Sequence, residues 1–321
     1  MTAAGQDLRS AGRPLRPPGG QHDRRLSWWA RRKGREPRFL PYVFVAATVV
    51  VLAGLNLIPL AYSIVDSLHR GSLLSQDHSF VGLQNYVTVF KDPAFQNAFK
   101  NTLGYLIYTD VGVLVFGLLI ALWLHGIKRR RAVAITIVLI PWAIPGTVNG
   151  EIWALIFKPT SNGLLNGVLL KLHIIQAPVI WLQGAKSLPL VALTLIWQVV
   201  PIAALIMLAG LEYIPEELYE HATIDGGGSL QILRRITLPL LRPAIAISLV
   251  VASISAIGIF DQIYVLNGNA PSTISVVQQT YIYAFKVLDF GYAVSAAMIG
   301  TIVSVIVSLI VLRVVYREIE F

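Results

Sequence analysis

The 321-residue chain is 55% hydrophobic and only 13% charged, with a mean hydropathy of +0.65. A soluble domain carries about a quarter charged residues, so this composition excludes a large water-bounded domain and points to a core that lies in lipid. The net charge of +9 does not indicate nucleic acid, because ten of the 26 Lys and Arg fall in the first forty residues and most others flank apolar runs.

Residues 1–37 are rich in Arg, Pro and Gly and lack apolar periodicity. Too little apolar surface is available there to offset the entropy of ordering, so the segment reads as a disordered basic tail touching anionic lipid headgroups. The apolar run that follows is too long for a signal peptide and lacks a small-residue cleavage site. Residues 38–321 read as one transmembrane domain. Six runs reach the roughly 20 residues that cross a bilayer: Phe39–Ser63, Thr102–His125, Ala132–Phe157, Leu188–Gly210, Ala244–Leu266 and Gly291–Tyr316. With the N-terminus inside, the tail, Lys128–Arg131, Arg234, Arg235, Arg242, Arg313 and Arg317 hold 19 of the 26 cations, leaving 7 outside. That bias predicts an all-α polytopic protein with both termini in the cytoplasm.

The outer segments are longer than simple connections require. His69–Lys100 contains VGLQNYVTVF, which predicts a short amphipathic helix. Lys158–Ser187 is apolar but interrupted by Gly163, Gly167 and Pro178, and reads as a hairpin or re-entrant element rather than a seventh span. Gly268–Asp289 is the third. Together they form either a docking face for an external partner or caps on the bundle.

The polar segment Tyr213–Pro243 lies between spans four and five, on the cytoplasmic side. Pro215 suits the first position of a helix, and Glu216 and Glu217 complement its dipole. Leu218, Tyr219 and Ala222 supply an apolar stripe. Asp225-Gly226-Gly227-Gly228 stops the helix, because glycine tolerates positive φ. Ser229 then caps a second helix, Leu230–Ile236, expected to end before Pro239. The result is a helix–turn–helix knob, a handle for a partner. Glu220 and Asp225 are placed to pair with cations on that partner, and Leu218, Tyr219 and Ile224 to fill a groove. The alternative for Glu220 is an internal pair with Arg234 or Arg235, of the weak exposed kind.

Polar side chains within the spans mark a second candidate site. A carboxylate at mid-bilayer costs roughly 2.5–3.5 kcal/mol, so Asp110 should face the bundle interior. The third span carries Pro141, Trp142 and Pro145, then Asn149 and Glu151, and its freed carbonyls require protein or a water-filled cavity. Trp197, Gln198 and Pro201 follow in the fourth, and Asp261, Gln262 and Tyr264 near the outer end of the fifth. Carboxylates and amides beside Trp and Tyr suit a sugar, whose hydroxyls need acceptors and whose C–H faces stack on rings. Asn149, Gln198 and Gln262 equally suit interhelical bonding, and Asp261 and Tyr264 interfacial anchoring. The stripe Ala293, Ala296, Ala297, Gly300 and Ser304 reads as close helix packing.

The chain carries no engine. No G-x-x-x-x-G-K-[ST], G-x-S-x-G or H-E-x-x-H occurs, the glycine triplet lacks a following lysine, and His173 and His221 have no partner at metal-ligand spacing. Cysteine is absent, excluding disulfides and thiolate chemistry.

Glu220-His221-Ala222-Thr223-Ile224-Asp225-Gly226, followed by Ile236-Thr237-Leu238-Pro239, resembles the EAA loop of ABC importer permeases. The preceding LAGLEYIPEELYE, the downstream FDQIYVLNGNAPSTISVVQQTYIYAFKVLDFGYAVSAA, and SNGLLN and PVIWL upstream resemble the sugar-uptake branch, of the maltose and glycerol-3-phosphate type. The likeness runs from about Asn101 to Tyr316. His221 and Gly227 stand where the family usually has alanine, and Leu233 where phenylalanine is common. The exchange at 227, small for small, is expected to change little. Asn267-Gly268-Asn269-Ala270-Pro271 replaces the family's Gly-Gly-Pro.

The resemblance implies the passive half of an ATP-driven pump, in the inner or plasma membrane of a prokaryote. The chain would not be an enzyme and would hold no cofactor, with ATP and Mg on a cytoplasmic ABC ATPase dimer. The knob would be the coupling helix, with Leu218, Tyr219, Glu220, Ala222, Ile224, Asp225, Gly226, Leu238 and Pro239 at the ATPase contact. A second, homologous permease would complete a heterodimer, and an external solute-binding protein would deliver the solute for alternating access. The branch implies a sugar, with a glycerophosphodiester or polyol as alternatives. The span interiors lack the Lys or Arg that a phosphorylated solute would favour, which points to a neutral sugar. An ion-driven secondary transporter would not need the knob, and no inverted repeat is visible. A scaffold or receptor would leave the embedded carboxylates an unexplained cost.

Overall fold

The computed structural model describes residues 40–72 and 77–316; the 1–37 tail expected from sequence lies outside the described residues. In chain order the helices are α1 (Leu40–Ser67), α2 (Gln84–Lys91), α3 (Pro93–Gly112), α4 (Leu118–Gly126), α5 (Arg131–Ala143), α6 (Gly146–Ile156) and α7 (Leu164–Lys171). There follow α8 (Ser187–Glu212), α9 (Glu216–Ile224), α10 (Ser229–Ile232), α11 (Leu238–Ile257), α12 (Asp261–Asn267), α13 (Val276–Ile282) and α14 (Phe290–Val315). Among the described residues no strand forms beyond the isolated bridges His69–Phe80 and Ser72–Asp289. Five continuous helical stretches are long and apolar enough to cross a bilayer, and α5 with α6 makes a sixth, bent by 92°. The protein is all-α and polytopic.

The chain divides at Leu60 into two units. The first takes in α1 up to Leu60, where Asn56 Nδ2 donates to the Leu52 carbonyl at 2.7 Å.

The second unit is organised on α8, where Ala192, Ala203, Ala204 and Met207 are wholly buried. Asp92 caps α3, its Oδ1 accepting the Ala94 N–H at 2.9 Å, with Pro93 in the first helical position, which lacks a bonding N–H anyway. A π turn, Val113–Gly117, carries α3 into α4. Small residues let these helices close on α8. A Cβ on Gly112 would stand 2.8 Å from Ile196 Cδ1, and one on Gly210 would stand 2.6 Å from Ala244 Cβ of α11. Ser248 Oγ adds a 3.2 Å bond from α11 to the Ala203 carbonyl.

Two of the six runs depart from the straight rods expected from sequence. Ala132–Phe157 turns sharply, because Pro145 excludes the preceding residue from the helical region and Ile144 is extended (φ −79°, ψ 127°). Pro141 is accommodated inside α5. Ala244–Leu266 is likewise two pieces. Its helix begins earlier and ends at Ile257, Phe260 leaves helical geometry (φ −142°, ψ −59°), and Asp261–Asn267 is separate. Hydropathy runs unbroken through Gly258-Ile259-Phe260, so composition conceals this joint.

The expected helix in VGLQNYVTVF is α2, pinned by buried Asn85, which donates to the Ser67 and His69 carbonyls at 2.8 Å each. In 158–187 the helical part is α7, and one buried amide ties it to the returning strand of chain. Asn166 donates to the Lys158 and Val179 carbonyls and accepts from Val179 N–H and Trp181 Nε1, all at 3.0–3.1 Å. The 268–289 segment bonds to α3 through Asn101, which donates to the Pro271 carbonyl at 2.9 Å and the Ile274 carbonyl at 3.0 Å, and through Tyr105, which donates to the Thr273 carbonyl at 2.8 Å. The Tyr283 hydroxyl donates to Asp92, and burial together with that carboxylate holds the phenol protonated, far above its ordinary pKa. Of the small-residue stripe on α14, Ala293 and Ala296 are packed, while Ala297, Gly300 and Ser304 line an apolar groove beside α11 and α13.

Gly210→Leu forces side-chain atoms into the α8–α11 crossing, where overpacking costs about 1–3 kcal/mol. Its expected outcome is a lowered midpoint in thermal unfolding of the detergent-solubilised protein. Gly126→Ala, facing open space, is expected to leave that midpoint in place.

Candidate functional sites: a polar knob and a broken-helix wall

The knob begins one residue later than expected. Pro215 flanks α9 in extended geometry (φ −59°, ψ 133°), and Glu216 and Glu217 occupy the first turn. Leu218 and Tyr219 turn inward and pack on the bundle core, with Thr237 Oγ1 donating to the Tyr219 hydroxyl at 3.4 Å. Ala222 is half-buried. Glu220, His221 and Asp225 are exposed, and Ile224 is 81% exposed. Among the described residues no ion pair joins Glu220 to Arg234 or Arg235.

Backbone bonds close the end of α9. Gly226 adopts φ +80°, its N–H donates to the Thr223 carbonyl at 3.1 Å, and the Gly227 N–H reaches the Ala222 carbonyl at 2.8 Å. This is the double-bonded helix stop for which a left-handed glycine is suited. A Cβ on Gly227 would stand 2.7 Å from the Ala222 oxygen, so alanine there is not the neutral exchange expected from sequence.

Beyond the turn, Ser229 lies inside α10 and makes no cap bond; Gly228 is the flanking residue. The second helix also does not end before Pro239. It passes through a π turn, Leu233–Thr237, into α11, whose first two residues are Leu238 and Pro239. A wider turn ahead of the proline relieves the clash and missing donor that would break a regular helix.

The basic turn shares this end of the bundle. Arg131, opening α5, is ion-paired with Glu212, closing α8. A cavity of about 620 Å³ lies between His125 and Lys128 on one side and Tyr213, Pro215 and Glu216 on the other.

The intramembrane candidates fall into separate groups. Asp110 of α3 accepts from Ser253 Oγ of α11, at 2.9 Å and 3.2 Å to its two oxygens. Asn149, Gln198 and Gln262 converge. Gln198 Nε2 donates to the Ile144 carbonyl at 2.7 Å, and its Oε1 accepts from Asn149 Nδ2 at 3.1 Å and Gln262 Nε2 at 2.6 Å. Asn149 Nδ2 also reaches the Thr194 carbonyl at 3.1 Å. Asn149 is wholly buried and Gln262 nearly so.

Asp261 stays exposed at the start of α12, its carboxylate against Gly146 at the start of α6, where both helix termini favour negative charge. Glu151 is exposed on α6, and Trp142 is exposed on α5. Trp197 stands apart from the polar group. It meets Trp153 edge-on at 5.9 Å and lines an apolar pocket of about 380 Å³ with Pro141 and Pro201.

Tyr264 belongs to a row of rings. It stacks on Phe260 (5.6 Å) and meets Tyr281 edge-on (6.0 Å), and Tyr281 continues to Phe285 (5.0 Å), which is 62% exposed. Sequence reasoning missed Ser253, Phe260, Tyr281 and Phe285. The i, i+4 spacings of Phe260 with Tyr264 and Tyr281 with Phe285 were readable as ring pairs. Ser253 carries no sequence signal, because its partner is on another helix.

Residues 113–320 match the family described as binding-protein-dependent transport system inner membrane component. The chain is 32% identical over 297 residues to the sulfoquinovosyl glycerol transport system permease protein SmoG of Agrobacterium fabrum, covering 91% of this chain and 96% of that protein. It is 33% identical over 266 residues to the trehalose/maltose transport system permease protein MalF of Thermococcus litoralis, covering 82% and 88%. Among solved structures, a chain of a bacterial ABC transporter involved in import of the acidic polysaccharide alginate superposes with a TM-score of 0.74 at 23% identity. That match covers 92% of this chain and 100% of that one.

Gly226→Ala places a Cβ on left-handed backbone, a cost of roughly 1–2 kcal/mol. The expected outcome is faster amide exchange at Gly226 and Gly227 and through the last turn of α9, read by hydrogen–deuterium exchange, with exchange in α8 unchanged.

Proposed function

This chain belongs to the binding-protein-dependent transport system inner membrane component family, as a permease of an ABC importer, and we propose how it works within that family. The basic turn Lys128–Arg131 and the knob share one end of the bundle, which supports placing that end in the cytoplasm, and the cation count along the sequence puts both chain termini on the same side. There α9 acts as the coupling helix of a separate ABC ATPase dimer, which carries the ATP and Mg. The observation that carries this reading is the exposed tip: Ile224 at 81% and Leu230 at 61% exposure are apolar groups that only a docked partner would cover. Glu220 and Asp225 flank them as anionic contacts. Ala222 and Gly226 shape the tip, while Leu218, Tyr219, Leu238 and Pro239 carry its motion into the bundle.

The solute is a sugar or short oligosaccharide, and the lack of Lys or Arg in the span interiors favours a neutral one. Support for a sugar comes from the relatives' described substrates and from exposed Asp261, next in the chain to the ring row of Phe260, Tyr264 and Tyr281, with Glu151 exposed on the neighbouring α6. Carboxylates accept sugar hydroxyls and rings take the C–H faces. Asp110, Trp142 and Trp197 line the path nearer the bundle, and Asn149, Gln198 and Gln262 build its wall. The segments around α2, α7 and α13 face outward and receive the external solute-binding protein. A single EAA loop per chain, together with the branch resembled, supports a heterodimer with a second permease. ATP-driven closure then shifts the pair between outward and inward states that differ in solute affinity.

Purification of the tagged permease from its native membrane is expected to bring down an ABC ATPase. Glu220→Lys combined with Gly226→Pro is expected to leave permease abundance in the membrane unchanged and to lose the ATPase. Retention of the ATPase by that variant would put the grip elsewhere. In proteoliposomes with the complete complex, Asp261→Ala is expected to lower ATP-dependent trehalose or maltose uptake at least tenfold, the scale on which one charged hydrogen bond of about 1.5–3 kcal/mol acts. Unchanged uptake would remove Asp261 from the path.

A further inference from the structure

We infer that Gln198 is a positioning residue that holds α6 and α12 together as one movable wall of the path, without itself touching solute. The inference rests on the permease reading above and assigns a mechanical role within it.

Both short helices leave their long partners at non-helical joints. α6 departs from α5 at Ile144-Pro145, and α12 departs from α11 at Gly258–Phe260. Each joint frees a backbone carbonyl, and each is answered by a side chain. Gln198 Nε2 meets the Ile144 oxygen at 2.7 Å, and Ser275 Oγ meets the Ile259 oxygen at 2.6 Å. In a lipid-bounded interior such carbonyls are costly when left bare.

The two short helices then pack on each other at glycine distance. A Cβ on Gly146 would stand 2.7 Å from Asp261 Oδ2, and one on Gly150 would stand 2.9 Å from Val265 Cβ. The matching four-residue steps place α6 and α12 side by side in parallel register. They therefore have little freedom to slide against each other, and both can tilt at their joints.

Gln198 links this pair to α8, beside the single bond that Asn149 Nδ2 makes to the Thr194 carbonyl. Its one amide donates to the joint before α6 and accepts from Asn149 on α6 and Gln262 on α12. The donor and acceptor ends are not interchangeable, because the Ile144 carbonyl needs a donor and the two amide groups need an acceptor. With both functions engaged by protein, Gln198 acts on solute through the placement of Glu151, Asp261 and Tyr264, which ride on the pair.

The absence of native cysteine makes a two-cysteine distance measurement direct. Spin labels at Thr147→Cys on α6 and Leu193→Cys on α8, both exposed positions, report the wall in the assembled complex in lipid nanodiscs. A reference pair, Leu119→Cys and Ile247→Cys, reports the rest of the bundle. Gln198→Met is expected to broaden and shift the 147–193 distance by several ångströms while the reference distance holds. Gln198→Glu keeps the acceptor and loses the donor, so an intermediate distribution is expected. Should the methionine variant fail to assemble, Gln262→Met, which removes one bond on the α12 side, is expected to give a smaller shift of the same sign. An unchanged 147–193 distance in the variants overturns the inference, as does an equal change in both pairs, which would mean general loosening. Trehalose uptake measured in parallel tests the sugar reading separately, since its failure would leave the distance result standing.

Discussion

Everything in the second unit depends on one constraint: a helix broken inside lipid exposes backbone polar groups that water cannot reach. Among the described residues the chain breaks helical geometry inside the bent pair and again just past the end of α11, and answers each break with a side chain from elsewhere in sequence, Gln198 at Ile144 and Ser275 at Ile259. Where α3 and the knob's second helix only need to shift register, π turns do so while keeping the helix continuous. At both joints the freed carbonyl thus meets a polar side chain. Those places also carry the exposed carboxylates and rings.

Around them the scaffold is deliberately tight. α8 is flanked by close contacts at Gly112 and Gly210, where an added Cβ would force a neighbour to shift, and polar bonds to Ala203 and Glu212 add to them. The Arg131–Glu212 pair joins the start of α5 to the last residue of α8, immediately before the knob. The pair therefore ties two spans together at the root of the knob. One of them, α5, leads directly into the bent pair.

The helical class, the existence of six runs and the position of the knob were legible because they rest on local signals: apolar length, cation placement and the Asp225–Gly228 stop. What sequence concealed was relational. Hydropathy does not fall at Gly258–Phe260, so the fifth run looked continuous. Pro141 and Pro145 announced a break but not which of them would turn the chain, a choice made by the extended geometry that Pro145 imposes on Ile144. Leu218 and Tyr219 looked like partner-facing groups because they are apolar on a polar segment, yet they lie on the face that meets the bundle. Asn149, Gln198 and Gln262 were identifiable as polar groups needing partners. That they are one another's partners depends on the fold, as does the Asp110–Ser253 bond.

The tip of the knob is stopped by its own main chain. Its shape follows from Gly226 and Gly227, and the exposed side chains around it, His221 among them, contribute nothing to closing it. Shape and lettering are thus separable in this element. If α9 is the coupling helix proposed above, the lettering can change, and with it the engine recognised, while the shape is kept. Mismatched pairs from coexisting transporters would then be kept apart by a handful of surface side chains, at no cost to folding.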